Sequence, residues 1–203
     1  MSLNKLDSDL SIWKSFRQGN KEAFQKIYFD HYRFLYNYCR KFTNDKELVE
    51  DILQNLFVTI FLKKDRLSNT DNIRLYLFCS ARRSLFKALN TKHYKITDLF
   101  DHNNPEFHFN EGVMPEYGEE EEENRFLKEL NRCVNNLGAR QKEIVYMKYF
   151  SGLNNKEISD ILGVSYQTVR NTLHNALKKI RKEFDQEMPK GKMVILFQAF
   201  QKK

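Results

Sequence analysis

Cysteine, proline and glycine are all scarce in this chain: three, three and seven in 203 residues. Each shortage argues against a class of structure. Cys39, Cys79 and Cys133 are widely separated, odd in number and outside any CxxC arrangement. That speaks against a disulfide framework or a zinc site and fits buried thiols in a reducing compartment. With so few glycines and prolines, and apolar residues recurring mostly at steps of three and four, the pattern predicts an all-α protein. No internal repeat is present. A long apolar run is also lacking: "MVILF" near the end of the chain is far too short to span a bilayer. The opening "MSLNKLDSDLSIW" has no basic stretch leading into an apolar one, so no signal peptide is predicted and the expected location is the cytoplasm.

Missing chemistry narrows the function further. There is no glycine-rich phosphate loop, no nucleophile elbow and no metal-spaced His/Cys cluster, and the five histidines are scattered. An enzyme, a bound metal or cofactor and a small-molecule substrate are therefore not expected.

What the chain does have is charge, unevenly placed. Residues 97–124 hold ten Asp or Glu and no Lys or Arg; with +7 overall, −10 in this strip leaves +17 elsewhere. A body so basic is suited to a polyanion, because each phosphate met by Lys or Arg releases counterions. The other reading is ordinary solubility.

The acidic strip also divides the chain. It contains two of the three prolines, two glycines, the run "EEEEE" and no sustained apolar period, which predicts a tether rather than a packed element. Before it, residues 1–96 read as successive helices. Asp7 or Ser8 is the expected cap of the first, and Gly19 ends it. Asn20 caps the second, with Phe24, Ile27, Tyr28, His31 and Leu35 on one side. A third helix, about 45–64, carries Val49, Ile52, Leu53, Leu56, Phe57, Ile60 and Phe61 on a broad apolar stripe, opposite Glu47, Glu50, Asp51, Gln54 and Asn55. "RLSNTDN" is a polar break, and a fourth helix of about 73–89 turns Leu77, Ala81, Leu85 and Ala88 inward.

After the tether, residues 125–185 form a second body, followed by a tail, 186–203, expected to serve ordinary packing, the alternative being a short amphipathic helix that covers one domain with the other or docks a regulator. Leu127, Leu130, Val134 and Leu137 mark one helix, and Ile144 to Tyr149 the next, broken by Gly152. Asn154 or Asn155 caps the short "KEISDIL", Gly163 supplies a tight turn, and Ser165 caps the last helix. Helix, glycine turn, helix is the layout of a helix-turn-helix DNA reader. On the last helix Val169, Leu173, Ala176, Leu177 and Ile180 face inward, while Tyr166, Gln167, Arg170, Asn171, His174 and Lys178 share the other face. Arg suits the paired acceptors of guanine, and Asn and Gln suit adenine. Thr168 and Lys179 flank this face as phosphate contacts. From spacing alone, a solvated face, a repressor, an activator and a part of the transcription machinery all remain open.

Four stretches in order carry a resemblance. "GNKEAFQKIYFDHYRFLYNYCRKF" (19–42), "EDILQNLFVTIF" (50–61), "YLFCSARRSLFKAL" (76–89) and "GARQKEIVYMKYFSGLNNKEISDILGVSYQTVRNTLHNALKKIR" (138–181) resemble the extracytoplasmic-function (ECF) sigma factors, initiation subunits of bacterial RNA polymerase. The second is similar to the family pattern EDLVQEVFLRLW and the third to WLYRIARNLALDYL. The resemblance implies a region 2-like bundle and a region 4-like helix-turn-helix joined by a linker. Its implied partners are core RNA polymerase, promoter DNA and an anti-sigma factor.

By the same resemblance Asp51, Gln54 and Asn55 dock on core polymerase. The break 67–72 and the following helix melt and read the −10 element, with Ser68, Asn69, Arg74, Tyr76, Arg82, Arg83 and Lys87 of the types a single strand needs. Arg170, Asn171, His174 and Asn175 occupy positions that contact the −35 element. The family usually has Trp at position 76, Asn at 83, Asp at 87 and Arg at 175. Asn175 removes a charge, which predicts altered −35 reading. Two rivals stay open: an autonomous helix-turn-helix regulator, and a decoy that keeps a polymerase-binding face without groove-reading side chains.

Overall fold

The computed structural model describes residues 3–92, 107–108 and 121–184, with side chains described for 9–90, 107–108 and 128–184. The chain divides into two compact units, Met1–Asp101 and His102–Lys203, and no strand occurs among the described residues.

The first unit is built from α1 (Leu3–Arg17), α2 (Lys21–Cys39), α3 (Lys46–Leu62), a single 3₁₀ turn (Lys64–Arg66) and α4 (Ile73–Lys92). α1 begins four residues ahead of the expected Asp7 cap, so Asp7 and Ser8 lie inside the helix. Gly19, with φ +93°, ends the turn after α1. Asn20 then caps α2, its side-chain oxygen accepting the Glu22 and Ala23 amides at 2.8 and 3.1 Å. Asp45 caps α3 through the Leu48 amide at 3.0 Å. Each cap satisfies amides that a helix start leaves without partners.

These starts set which face turns inward. Val49, Ile52, Leu53, Leu56, Phe57 and Ile60 of α3 are buried, as the stripe predicts, and so are Leu77, Ala81 and Leu85 of α4; Ala88 is half-buried. Aromatic rings knit the bundle: Tyr38 meets Phe78 at 4.2 Å, and Phe24 meets Phe61 at 4.9 Å. Trp13 and Phe16 of α1 are fully buried. Each such ring contributes about 1.5–3 kcal/mol by leaving water.

The second unit comprises α5 (Glu121–Asn135), α6 (Ala139–Val145), a π-helical turn (Tyr146–Phe150), α7 (Asn155–Leu162) and α8 (Tyr166–Phe184). α5, α6 and α7 all pack on α8. Leu130, Val134 and Leu137 are buried as expected; the Leu127 side chain lies outside the described residues.

The tether expectation needs two corrections. α5 starts at Glu121, so residues 121–124 belong to a helix rather than to the tether. Phe107 is only 1% exposed, and its ring packs on Tyr146 at 5.5 Å. The aromatics of the strip, Phe100, Phe107, Phe109 and Tyr117, sustain no helical spacing, so periodicity overlooked Phe107. Apart from 107–108, residues 97–120, like the tail 186–203, lie outside the described residues.

No disulfide joins Cys39, Cys79 and Cys133, and Cys39 and Cys133 are buried. Burial pushes the Cys39 thiol from its ordinary 9.0 up to about 12. Burial first, then the neighbouring Glu129 carboxylate, raise Cys133 to about 11. A raised thiol holds its proton longer when folded, so its contribution to stability is complete below pH 9 and is lost as pH climbs toward the folded value. Because the thiolate is the reactive form, Cys39 and Cys133 are expected to resist a thiol reagent at pH 8 in the native protein and to react promptly in denaturant. Rapid native labelling of Cys39 would contradict this packing.

Candidate nucleic-acid interface

The turn between α7 and α8 sets the presented surface. Asn154 caps α7, accepting the Lys156 and Glu157 amides at 2.9 and 3.0 Å, while Glu157 reaches back to the Asn154 amide at 2.8 Å. This reciprocal box starts an eight-residue helix that would be marginal alone. Gly163 ends it in the left-handed region, φ +63°, its amide bonded to the Ser159 carbonyl. Two residues later Ser165 Oγ accepts the Thr168 amide at 3.0 Å and starts α8. Arg140 of α6 braces the corner, donating to the Leu162 carbonyl at 3.3 Å and to the buried Glu143 carboxylate at 3.2 Å.

With that corner fixed, α8 has one dry and one wet face. Val169, Leu173, Ala176, Ile180 and Phe184 are buried, and Leu177 is half-buried. Tyr166, Gln167, Thr168, Arg170, Asn171, His174, Asn175 and Lys178 are all exposed. Tyr166 leaves a large ring 51% exposed at the helix start. Gln167 donates to Asn171 at 2.9 Å, one turn on, which pre-orients two amides on the same face. Thr168 is engaged locally, its hydroxyl 2.8 Å from that of Ser165. Lys179 is exposed near the end of α5, where its ammonium donates to the Asn136 carbonyl.

In the first unit the predicted residues separate into groups. Asp51, Gln54 and Asn55 are exposed along α3 with Glu47 and Glu50. Val58 and Leu62 continue that stripe at helical spacing and stand 54% and 71% exposed. The sequence reading missed them, because an apolar residue one step off a broad apolar stripe looks like its edge.

Ser68 and Asn69 are exposed in the segment before α4. Tyr76, Arg83 and Lys87 share one stripe of α4, running through Ser80. Burial raises the Tyr76 phenol, against a Ser80 hydrogen bond and the Arg83 charge. Arg74 and Arg82 fall off that stripe. They lie over the Phe34 and Phe86 rings at 4.2 and 4.1 Å, contacts that hold a guanidinium against an aromatic face. Tyr76 is half-buried, edge-on to Trp13 at 5.1 Å. No group of three or more metal-ligating side chains occurs among the described residues, and none of the described helices is long and apolar enough to cross a membrane.

The sequence matches the family model for Sigma-70 region 2 over residues 27–93 and that for Sigma-70, region 4 over residues 127–180. Together the two cover more than half of the chain. It is similar to the RNA polymerase sigma factor SigZ of Bacillus subtilis (strain 168), with 27% identity over 152 residues, 72% of this chain and 78% of SigZ. The ECF RNA polymerase sigma factor SigX of the same organism is 21% identical over 168 residues, 81% of this chain and 85% of SigX. Two solved structures share the fold. CnrH in complex with the cytosolic domain of CnrY has a TM-score of 0.57 at 16% identity, covering 89% of this chain and 99% of that one. The sigma factor RpoE in complex with the anti-sigma factor NepR, from Bartonella quintana, has a TM-score of 0.54 at 16% identity, covering 81% and 98%. The chain belongs to the sigma-70 family of RNA polymerase sigma factors, in its ECF group.

Gly163 offers a direct test of the corner. A Cβ there meets nothing within 4 Å, so the cost of a side chain is conformational alone. Gly163→Ala is expected to destabilise the second unit by about 1–2 kcal/mol, and Gly163→Asn by less, since Asn tolerates this region. Denaturant unfolding of the full chain measures both. Equal losses for the two would point to a steric cause instead.

Proposed function

We propose that the two units divide promoter reading between them. The first docks on core RNA polymerase through α3 and opens and reads the −10 element with the segment before α4 and the exposed stripe of α4. The second lays α8 in the major groove at the −35 element. The observation that carries this reading is the wet face of α8: eight exposed side chains, rich in groove-reading types, opposite a fully packed seam and behind a capped, glycine-closed turn. A merely solvated helix has no need of Arg, Asn, Gln and His gathered on one face of so basic a chain.

Each surface has its own chemistry. Arg170 is the candidate for a paired contact to guanine, Asn171 and Gln167 for adenine, and Lys178 for phosphate. Asn175, where relatives usually place Arg, supplies no charge, so its contribution to the grip on the backbone is small. On α3 the face runs from acidic Glu47, Glu50 and Asp51 through Gln54 and Asn55 to apolar Val58 and Leu62. It therefore suits a partner that is basic at one end and apolar at the other. The likeness to a sigma factor solved with an anti-sigma factor makes anti-sigma control part of the same proposal, through whichever of these faces the regulator covers.

Run-off transcription with core polymerase on genomic fragments tests the whole reading: initiation at defined promoters is expected only when core and this protein are both present. Tight binding to duplex DNA as a dimer, without association with core, would establish an autonomous regulator instead. Arg170→Ala is expected to lower −35-dependent initiation by about 1–3 kcal/mol, roughly 5- to 150-fold, and to relax preference at a single base pair. Asp51→Arg is expected to weaken core binding while leaving duplex binding by the second unit unchanged. Unaltered core affinity in Asp51→Arg would remove α3 from the docking surface.

A further inference from the structure

α1 lies ahead of the region 2 match, which starts at residue 27, and no role has so far been given to it. Three of its polar side chains nonetheless converge on the segment between α3 and α4. Asp9 accepts the Ile73 amide at 3.2 Å, at the first residue of α4. The indole N–H of Trp13 donates to the Ser68 carbonyl at 2.9 Å. Arg17 donates through Nε to the Lys64 carbonyl at 3.4 Å and through Nη1 to the side-chain oxygen of Asn69. Positions 9, 13 and 17 are one helical turn apart, so a single stripe of α1 grips the segment at its start, middle and end.

The Arg17–Asn69 contact has a chemical consequence. A guanidinium only donates, so it can meet only the oxygen of the Asn69 amide; this fixes which way the amide is turned. The NH₂ group is then the part of this exposed side chain left to meet a ligand, and it only donates. A donor favours a base edge bearing a keto oxygen, guanine O6 or thymine O4, over one bearing an amino group, adenine N6 or cytosine N4.

We propose that α1 is a brace for the promoter-reading segment, with Arg17 the positioning residue that sets Asn69 as a donor-only reader of one −10 base, selecting keto over amino. The idea rests on the sigma reading above and adds to it a specificity rule and a residue outside the matched region. Ser68, whose carbonyl is taken by Trp13, is oriented by the same brace. The single tryptophan of the chain therefore sits where it reports the segment's state.

The test is transcription by bacterial core polymerase plus the full-length protein on a promoter library randomised over both elements, with product sequencing and Trp13 emission recorded in parallel. The wild type is expected to show one −10 position with a keto preference. Arg17→Ala should reduce that preference about fivefold, the worth of one oriented hydrogen bond, with the other positions, core affinity and thermal midpoint unchanged. Arg17→Lys, still donor-only, should restore part of it. Asn69→Asp keeps an oxygen for Arg17 but offers only acceptors outward, and should shift the preference toward adenine and cytosine. An even loss over all library members in Arg17→Ala, or an unchanged base preference in Asn69→Asp, overturns the brace while leaving the sigma reading intact. Failure of the wild type to bind core or to initiate on any library member overturns the sigma reading, and the brace with it.

Discussion

Between Leu162 and Tyr166 the backbone must end one helix, reverse direction and begin another with its amides still satisfied. Gly163 takes the left-handed conformation at φ +63°, Ser165 receives the first free amide of α8, and Arg140 pins the last carbonyl of α7. Everything the second unit offers depends on this corner. A rotation of α8 by one residue, about 100°, would turn Val169 and Leu173 toward solvent and Arg170 and His174 inward. The packed seam and the reading face are thus one decision, made at the corner and enforced by the burial of Val169, Leu173, Ala176 and Ile180. A buried carboxylate there, Glu143, remains tolerable because a guanidinium lies 3.2 Å away.

The first unit answers a similar demand with aromatics. Tyr28, Tyr32 and Tyr36 follow one another along α2, the first two stacked at 5.1 Å and both leaning on Phe57 of α3, the third stacked on Tyr32. Rings of this size fill the space between helices with few side chains, which leaves the outer positions of α3 free for polar groups. They also give cations something to rest on, as Arg74 and Arg82 do. Those two arginines are more strongly placed than a sequence can suggest, each guanidinium lying over a half-buried phenylalanine ring.

Much of this was legible beforehand, for a physical reason. Helices bury their seams at fixed spacing, and caps announce themselves by residue type: Asn20, Asp45, Asn154, Gly163 and Ser165 all act as their identities predict. All eight candidates on α8 stand exposed. What escaped was set by contacts between distant parts of the chain. Trp13 and Asp9 reach residues 55 and 64 positions away, and no local pattern encodes that. The Lys179 bond to Asn136, at the end of another helix, is of the same kind. Arg74 and Arg82 share a helix with Tyr76 but not its stripe, a matter of angle rather than type. Phe107 was missed for want of any neighbours in period with it.

Phe107 changes how the connection between the units is to be measured. Since its ring is seated on Tyr146, the chain beyond it returns to α5 within the same unit, and only the stretch from Lys92 to Phe107 bridges onward. That stretch, fully extended, reaches roughly 50 Å. Phe107 thus extends the second unit's core back ahead of α5, into the acidic strip itself.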